Sequence, residues 1–179
     1  MPGLNFRNAM PGDIGAIVAL VTSAYRGEAS RTGWTTEADL LDGARIDPDL
    51  LHADIRRENS IVLLSEAAGT APGDLLACAH LAIEDGAGYF GMFAVRPGLQ
   101  GSGIGGKVLA ECERIAGDQW QLPAMRMTVI EQRDDLIAWY QRRGYRRTGI
   151  YKPFPYGDER FGVPKRDDLR FEVLEKPLA

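Results

Sequence analysis

The sequence predicts a mixed α/β fold, and three observations carry that prediction. Runs rich in β-branched and aromatic residues alternate with runs whose apolar residues recur at the helical period of about 3.6. Gly, Pro and Asp punctuate the junctions between them. The 179 residues are 45% hydrophobic and 26% charged, enough to bury a full core without disulfides or a structural metal. A single domain over residues 1–179 is therefore expected.

Leu4 to Asn8 reads as a strand. Pro11 and Asp13 are helix-start residues, and Ile14, Ile17, Val18, Val21 and Tyr25 then mark one buried helical face. A polar stretch after Gly27 holds Arg31, Gly33, Trp34 and Thr35, followed by two short helical pieces, Glu37 to Leu41 and Asp49 to Arg57. Ser60 to Glu66, Asp74 to Glu84 and Gly88 to Val95 form an antiparallel meander, because turn residues separate them closely. From Ile104 the pattern turns helical, with Val108, Cys112 and Ile115 on one face and Lys107, Glu111 and Arg114 on the other. Ala124 to Ile130 is a strand, and Asp134 to Arg143 a helix stopped by Gly144. Tyr145 to Tyr151 and Leu169 to Leu174 are the last strands, with Lys152 to Arg166 between them as a long loop of the kind that usually has a function.

The 25 acidic against 21 basic residues leave a net charge of -4, the wrong sign for gripping a nucleic-acid backbone. Cys78 and Cys112 stand far apart and outside any C-x-x-C pair, so both read as small buried hydrophobes. With His52 and His80 the only histidines, no cluster at metal-ligand spacing exists and no metal is expected. His80 reads as a strand residue with a satisfied partner. No run reaches the roughly 18 apolar residues of a membrane span, and no leader-like pattern opens the chain. A cytoplasmic protein without membrane partners is the resulting expectation.

The stretch Gln100-Gly101-Ser102-Gly103-Ile104-Gly105-Gly106-Lys107 opens a helix. Free backbone N–H groups and the positive helix end make it a natural phosphate site. Its glycines fit three templates. As a Walker A loop it lacks the Ser or Thr that holds magnesium, since Val108 follows Lys107. As a dinucleotide fingerprint it fits G-x-G-x-x-G through Gly101, Gly103 and Gly106, with Glu131 as a ribose-binding acid. Against that, Arg96 to Gln100 intervene between strand and loop where the fingerprint needs a tight turn. The third template is Gln/Arg-x-x-Gly-x-Gly, met by Gln100, Gly103 and Gly105 behind the strand end Ala94-Val95-Arg96-Pro97.

On that loop the sequence resembles the GNAT superfamily of N-acetyltransferases, and Trp139-Tyr140-Gln141-Arg142-Arg143-Gly144-Tyr145 is similar to the family's second signature. The likeness runs from about Leu4 to Glu175. It implies a central mixed, mostly antiparallel sheet of about seven strands flanked by about four helices. It also implies acetyl-CoA as cofactor and transfer of its acetyl group to a primary amine of a small molecule or peptide, by direct attack. Phe93, Ala94 and Val95 would pair with the pantetheine arm, and Gln100, Gly101, Ser102, Gly103, Ile104, Gly105 and Gly106 would hold the diphosphate. Tyr140 would protonate the departing thiolate, although by position alone it serves equally as core beside Leu136 and Ile137. Two departures stand out. Arg133 occupies a place where the family commonly has Asn and would contact the cofactor instead, and Tyr89 replaces a Glu that some members use as base.

Glu84, Asp85 and Glu131, at strand ends, are the candidate bases through a water relay, Glu84 and Glu131 foremost. Acceptor recognition is assigned to Tyr25, Arg31, Trp34, Tyr89, Phe154 and Tyr156. Glu28, Glu37, Asp158 and Glu159 would attract a cationic amine, while Arg31 and Arg160 suit a carboxylate, so the acceptor's charge stays open. A silent CoA-binding sensor and a dinucleotide-dependent oxidoreductase are the alternatives. Oligomeric state is open as well, with a homodimer one option.

Overall fold

Alternating side chains along the β-rich runs give each strand two apolar faces, so both faces of the resulting sheet must be covered. The computed structural model, which describes residues 3–178, shows how. The strands are β1 (Leu4–Asn8), β2 (Leu41–Asp42), β3 (Ser60–Ala67), β4 (Leu75–Glu84), β5 (Ala87–Val95), β6 (Ala124–Ile130), β7 (Arg146–Pro153), β8 (Val163–Pro164) and β9 (Arg170–Pro177). The helices are α1 (Ile14–Tyr25), α2 (Pro48–Arg56), α3 (Ile104–Arg114) and α4 (Asp134–Gln141). Seven strands form one sheet in the order β1-β3-β4-β5-β6-β9-β7, and β2 pairs with β8 in a separate two-stranded ribbon.

Helices α1 and α2 cover one face. Ile17, Leu20, Val21 and Ala24 of α1 and Leu51 of α2 pack on Val62, Leu64, Cys78 and Ala94. Helices α3 and α4 cover the other, where Val108, Leu109 and Cys112 and then Ile137 and Tyr140 meet Leu63, Ala79, Leu81 and Phe90. Each aliphatic side chain buried this way contributes about 1.5–3 kcal/mol. Both thiols lie in these cores, and burial raises the Cys78 thiol to about 12. His80 is buried with the Ser60 hydroxyl 2.8 Å from its Nε2. Asp47 caps α2, its carboxylate accepting from the N–H groups of Asp49 and Leu50.

The element order follows the sequence reading, with local differences. Residues 37–41 are not helical: a turn runs through them into β2, and the helical turn of this excursion lies earlier, at Glu28–Thr32. The loop after β7 starts later than residue 152, and β8 interrupts it. The last strand reaches Pro177.

One feature of the sheet positions the site. All neighbouring strands are antiparallel except β5 and β6, which pair only through Gly88↔Met125 and Tyr89↔Arg126. Beyond those residues the two strands diverge. A bulge shifts the β4–β5 register between Cys78 and His80, and Met92 in the bulged stretch takes a left-handed φ of 48°. The sheet therefore opens at its centre.

Candidate active site

The last residues of β5 border this opening. Strand alternation turns the main-chain groups of Phe93 and Val95 into it. The Phe93 carbonyl accepts from the Tyr25 hydroxyl, and the Val95 carbonyl accepts from Gln100 Nε2 at 3.2 Å. In extended backbone a residue's N–H lies on the same edge as its carbonyl, which turns both N–H groups toward the same gap. Ala94 lies between them, turned into the core.

Past β5 the chain turns at Pro97–Leu99 and enters the glycine loop. Gly101 and Gly103 take φ values of 85° and 88°, a left-handed conformation that favours glycine. Gly103 is also the N-cap of α3 and, lacking a side chain, offers no cap. Among the described residues, no acceptor takes the N–H groups of Gly101, Gly103, Ile104, Gly105 or Gly106; the first bond at this helix end is from Lys107 N to Gly103 O. A Cβ on Gly105 would come within 3.2 Å of Phe93 and 3.5 Å of Trp139, so glycine lets the helix end approach this aromatic wall. These donors open onto a cleft of about 500 Å³. Arg142 and Arg143 stand on its rim, with the Arg143 guanidinium 3.6 Å over the Trp139 ring and donating to the Trp139 carbonyl at 3.0 Å. Uncapped amides and two guanidinium groups suit a diphosphate.

Phe93, Tyr25 and Leu136 also line a second cavity, of about 260 Å³, which reaches into the gap between β5 and β6. Tyr140 lines it, buried edge-on against Trp139 at 5.1 Å and Tyr145 at 5.7 Å. Its hydroxyl makes no hydrogen bond among the described residues. Burial drives its pKa well above that of a free phenol, so it keeps its proton across the neutral range. Burial likewise raises Tyr25, to about 12.

The structure brings together most of the expected cofactor residues. Phe93, Val95, Gln100, Gly101, Gly103, Gly105 and Gly106 line the larger cleft, while Ile104 turns its side chain into the core. Ser102 does not line the cleft; its hydroxyl bonds the Leu99 carbonyl. Gln100 does more than border the loop: its Oε1 accepts from Trp34 N and its Nε2 donates to Thr35 Oγ1, both at 2.8 Å. Arg133 lines the smaller cavity and donates to the carbonyls of Thr35 at 3.0 Å and Trp34 at 3.4 Å.

The expected bases are not brought to the opening. Glu84 lies by a separate cleft and sits 3.6 Å from Arg57. Glu131 lines neither cavity and is bound through both oxygens by Arg170. Both acids stand at strand ends, as the sequence predicts, but their ionic partners are tertiary and leave no local signal. Of the acceptor residues, Tyr25, Tyr89 and Phe154 line the smaller cavity and Trp34 the larger. Arg31 instead pairs with Glu28 and Asp39 at the surface, and Tyr156 holds the late loop through Arg166 O and Leu169 N. Sequence reasoning missed Arg45, which lines the smaller cavity, and the pairing there of Arg26 with Glu37. It also gave no role to Arg142 and Arg143, whose place directly after the Tyr140 helix was the available signal.

A family model described as "Acetyltransferase (GNAT) family" matches residues 20–145. A search of curated proteins finds no match. Among solved structures, a ribosomal-protein-alanine N-acetyltransferase from Escherichia coli superposes with a TM-score of 0.69 at 12% identity, covering 99% of this chain and 95% of its own. A spermidine N-acetyltransferase variant from Vibrio cholerae gives 0.69 at 13% identity over 98% of this chain and 94% of its own. A nourseothricin acetyltransferase gives 0.66 at 17%, over 98% and 99%. At these identities the likeness is one of fold.

Proposed function

This chain belongs to the GNAT acetyltransferase family, and from that premise we propose that it moves an acetyl group from acetyl-CoA to a primary amine by direct attack, without a covalent enzyme intermediate. The observation that carries the reading is the junction of two cavities at Phe93, Tyr25 and Leu136, one opening on uncapped helix-end amides and the other on an unbonded phenol. When bound, acetyl-CoA supplies the acyl group in activated thioester form.

The residues divide the work by position. Backbone N–H groups of the loop from Gly101 to Gly106 hold the diphosphate, and Arg142 and Arg143 add charge at its edge. The N–H groups of Phe93 and Val95 orient the pantetheine arm, and one of them stabilises negative charge gathering on the carbonyl oxygen. The rings of Phe93, Trp139 and Trp34 form an apolar wall beside the junction. Tyr140 donates its proton to the departing sulfur, a role that a phenol held in its acid form can fill, and the proton lost by the acylated nitrogen returns to it through solvent. Orientation alone removes about 7–11 kcal/mol of barrier in favourable cases, so no strong side-chain base is required.

The test is to follow free thiol while the protein is incubated with acetyl-CoA and a panel of amines, with calorimetric titrations of CoA and NAD alongside. Thiol release and CoA binding are expected. Absence of both, or binding of NAD in place of CoA, overturns the reading. CoA binding with no turnover on any amine points to a sensor.

A further inference from the structure

A guanidinium inside a protein needs a counter-charge, and the smaller cavity, where the acceptor would sit beside Tyr140, gathers more of the former than the latter. Arg26, Arg45 and Arg133 line it, and Glu37 is the only carboxylate on its wall among the described residues. Arg26 spends its charge on Glu37 Oε1 and donates to the Phe161 carbonyl at 3.3 Å, which leaves only its buried Nε without a partner among the described residues. Arg133 is committed to two carbonyls and, at 3.3 Å, to Asp135. Arg45 is not. Its one ionic contact is 3.5 Å from Nε to the Glu37 oxygen that Arg26 already uses. It makes no hydrogen bond among the described residues, and its side chain is 30% exposed. The guanidinium carbon sits 5.0 Å from the centre of the Tyr25 ring, whose hydroxyl reaches the Phe93 carbonyl at the junction of the two cavities. With Arg26 balanced by Glu37 and Arg133 by Asp135, one positive charge on the wall is left over.

Much of the rest of that wall is apolar, including Phe154 and Phe171. The cavity's 260 Å³ falls below the roughly 300–1,000 Å³ of drug-sized ligand sites. The geometry points to an acceptor that carries a carboxylate beside its amine on a small apolar body: a free amino acid, with Arg45 as the residue that selects it. A guanidinium with donors to spare, in a partly dry cavity, recognises a carboxylate through two parallel bonds. The same surplus charge repels a polyamine or an aminosugar. This inference rests on the acetyl-transfer reading and refines it.

The experiment compares matched acceptors on the full chain, by thiol release: L-phenylalanine against phenethylamine, L-leucine against isoamylamine, and spermidine. The amino acids are expected to exceed their decarboxylated partners at least tenfold in kcat/KM. Arg45→Gln is expected to bring that ratio close to one, and Arg45→Lys to keep part of it. Matched amines or spermidine used as well as the amino acids, or a ratio untouched in a folded Arg45→Gln, overturns the inference; if that variant does not fold, the wild-type ratios decide. A calorimetric comparison of N-acetyl-L-phenylalanine with N-phenethylacetamide needs no turnover. At least tenfold tighter binding of the carboxylate supports the inference even if no amine is acetylated, and equal binding sinks it. Failure of the transfer reading shows separately, as absent thiol release and absent CoA binding.

Discussion

Replacing Tyr140 with Phe separates chemistry from packing. The ring lies edge-on to Trp139, Tyr145 and Phe90, contacts that Phe retains. The lost hydroxyl has no hydrogen-bond partner in the protein to leave stranded, so the stability change is expected within about 0.5 kcal/mol. In a chain of this size that moves Tm by roughly 1–2 °C. A general acid, by contrast, is worth about 10²–10⁴ in rate, or roughly 3–5 kcal/mol of barrier. Stopped assays of thiol release at saturating acetyl-CoA are therefore expected to show kcat and kcat/KM for the amine falling together by at least a hundredfold, with the dissociation constant for acetyl-CoA unchanged. Because burial holds the phenol above its usual range, it stays protonated through neutral pH, and the loss is expected to be the same from pH 6 to pH 9. A variant that keeps a third or more of the wild-type kcat reduces Tyr140 to packing. A variant that melts more than about 5 °C lower shows that the hydroxyl is structural.

Removing Glu37 strands the Arg26 guanidinium, whose side chain is only 4% exposed. Glu37→Ala is expected to cost about 3–5 kcal/mol in urea unfolding, and the double change Arg26→Met with Glu37→Leu to recover much of it. Gln100→Ala breaks the bonds to Trp34 N, Thr35 Oγ1 and the Val95 carbonyl. It is expected to raise KM for acetyl-CoA by about tenfold, in line with roughly 1–3 kcal/mol for stranded polar groups, while kcat moves less. Arg7 holds the Asp13 and Glu66 carboxyls below their ordinary range through hydrogen bonds. Carboxyls lowered on folding contribute stability that is present above their unfolded pKa values of about 4 and lost as pH falls through the folded ones. Urea midpoints for Arg7→Leu are thus expected to lie below wild type at pH 7 and to depend less on pH below about 4.

How far the sequence carries depends on whether a feature is local. The glycine loop is legible because its determinants lie within a few residues: left-handed φ at Gly101 and Gly103, and a helix end without a capping side chain. Helix α3 is legible from the spacing of Ile104, Val108 and Cys112, all buried, and Ile115 is buried just past its end. The β2–β8 ribbon is not, since each strand has two residues and no period, and its register joins Leu41 to Pro164. Glu37 to Leu41 read as helical for the same reason: a short apolar cluster cannot tell a turn from a helix. The wall of the smaller cavity is the least visible, because Arg26, Glu37, Arg45 and Arg133 come from separate segments whose charges matter only once the fold adds them.

Gln100 and Arg133 both sit at positions where the family resemblance leads one to expect cofactor contact, yet much of their bonding goes to another segment of the chain. Gln100 grips Trp34 and Thr35 from the glycine loop, and Arg133 grips the same two residues from the start of α4. Gly33 completes the arrangement, since a Cβ there would overlap the Gln100 side chain. Trp34 and Thr35 line the larger cleft, and two residues later Glu37 lines the smaller cavity between Arg26 and Arg45. One short segment is therefore wall to both cavities. It is anchored by a residue of the loop that would hold the diphosphate and by a guanidinium that itself lines the smaller cavity. Coenzyme seated on the glycine loop would bear on Gln100, and through Gln100 on the segment that positions Glu37 and Arg45. Substitutions that loosen residues 33–37 should consequently disturb both substrates together, whereas a phosphate contact made by Arg133 alone would confine the damage to the coenzyme.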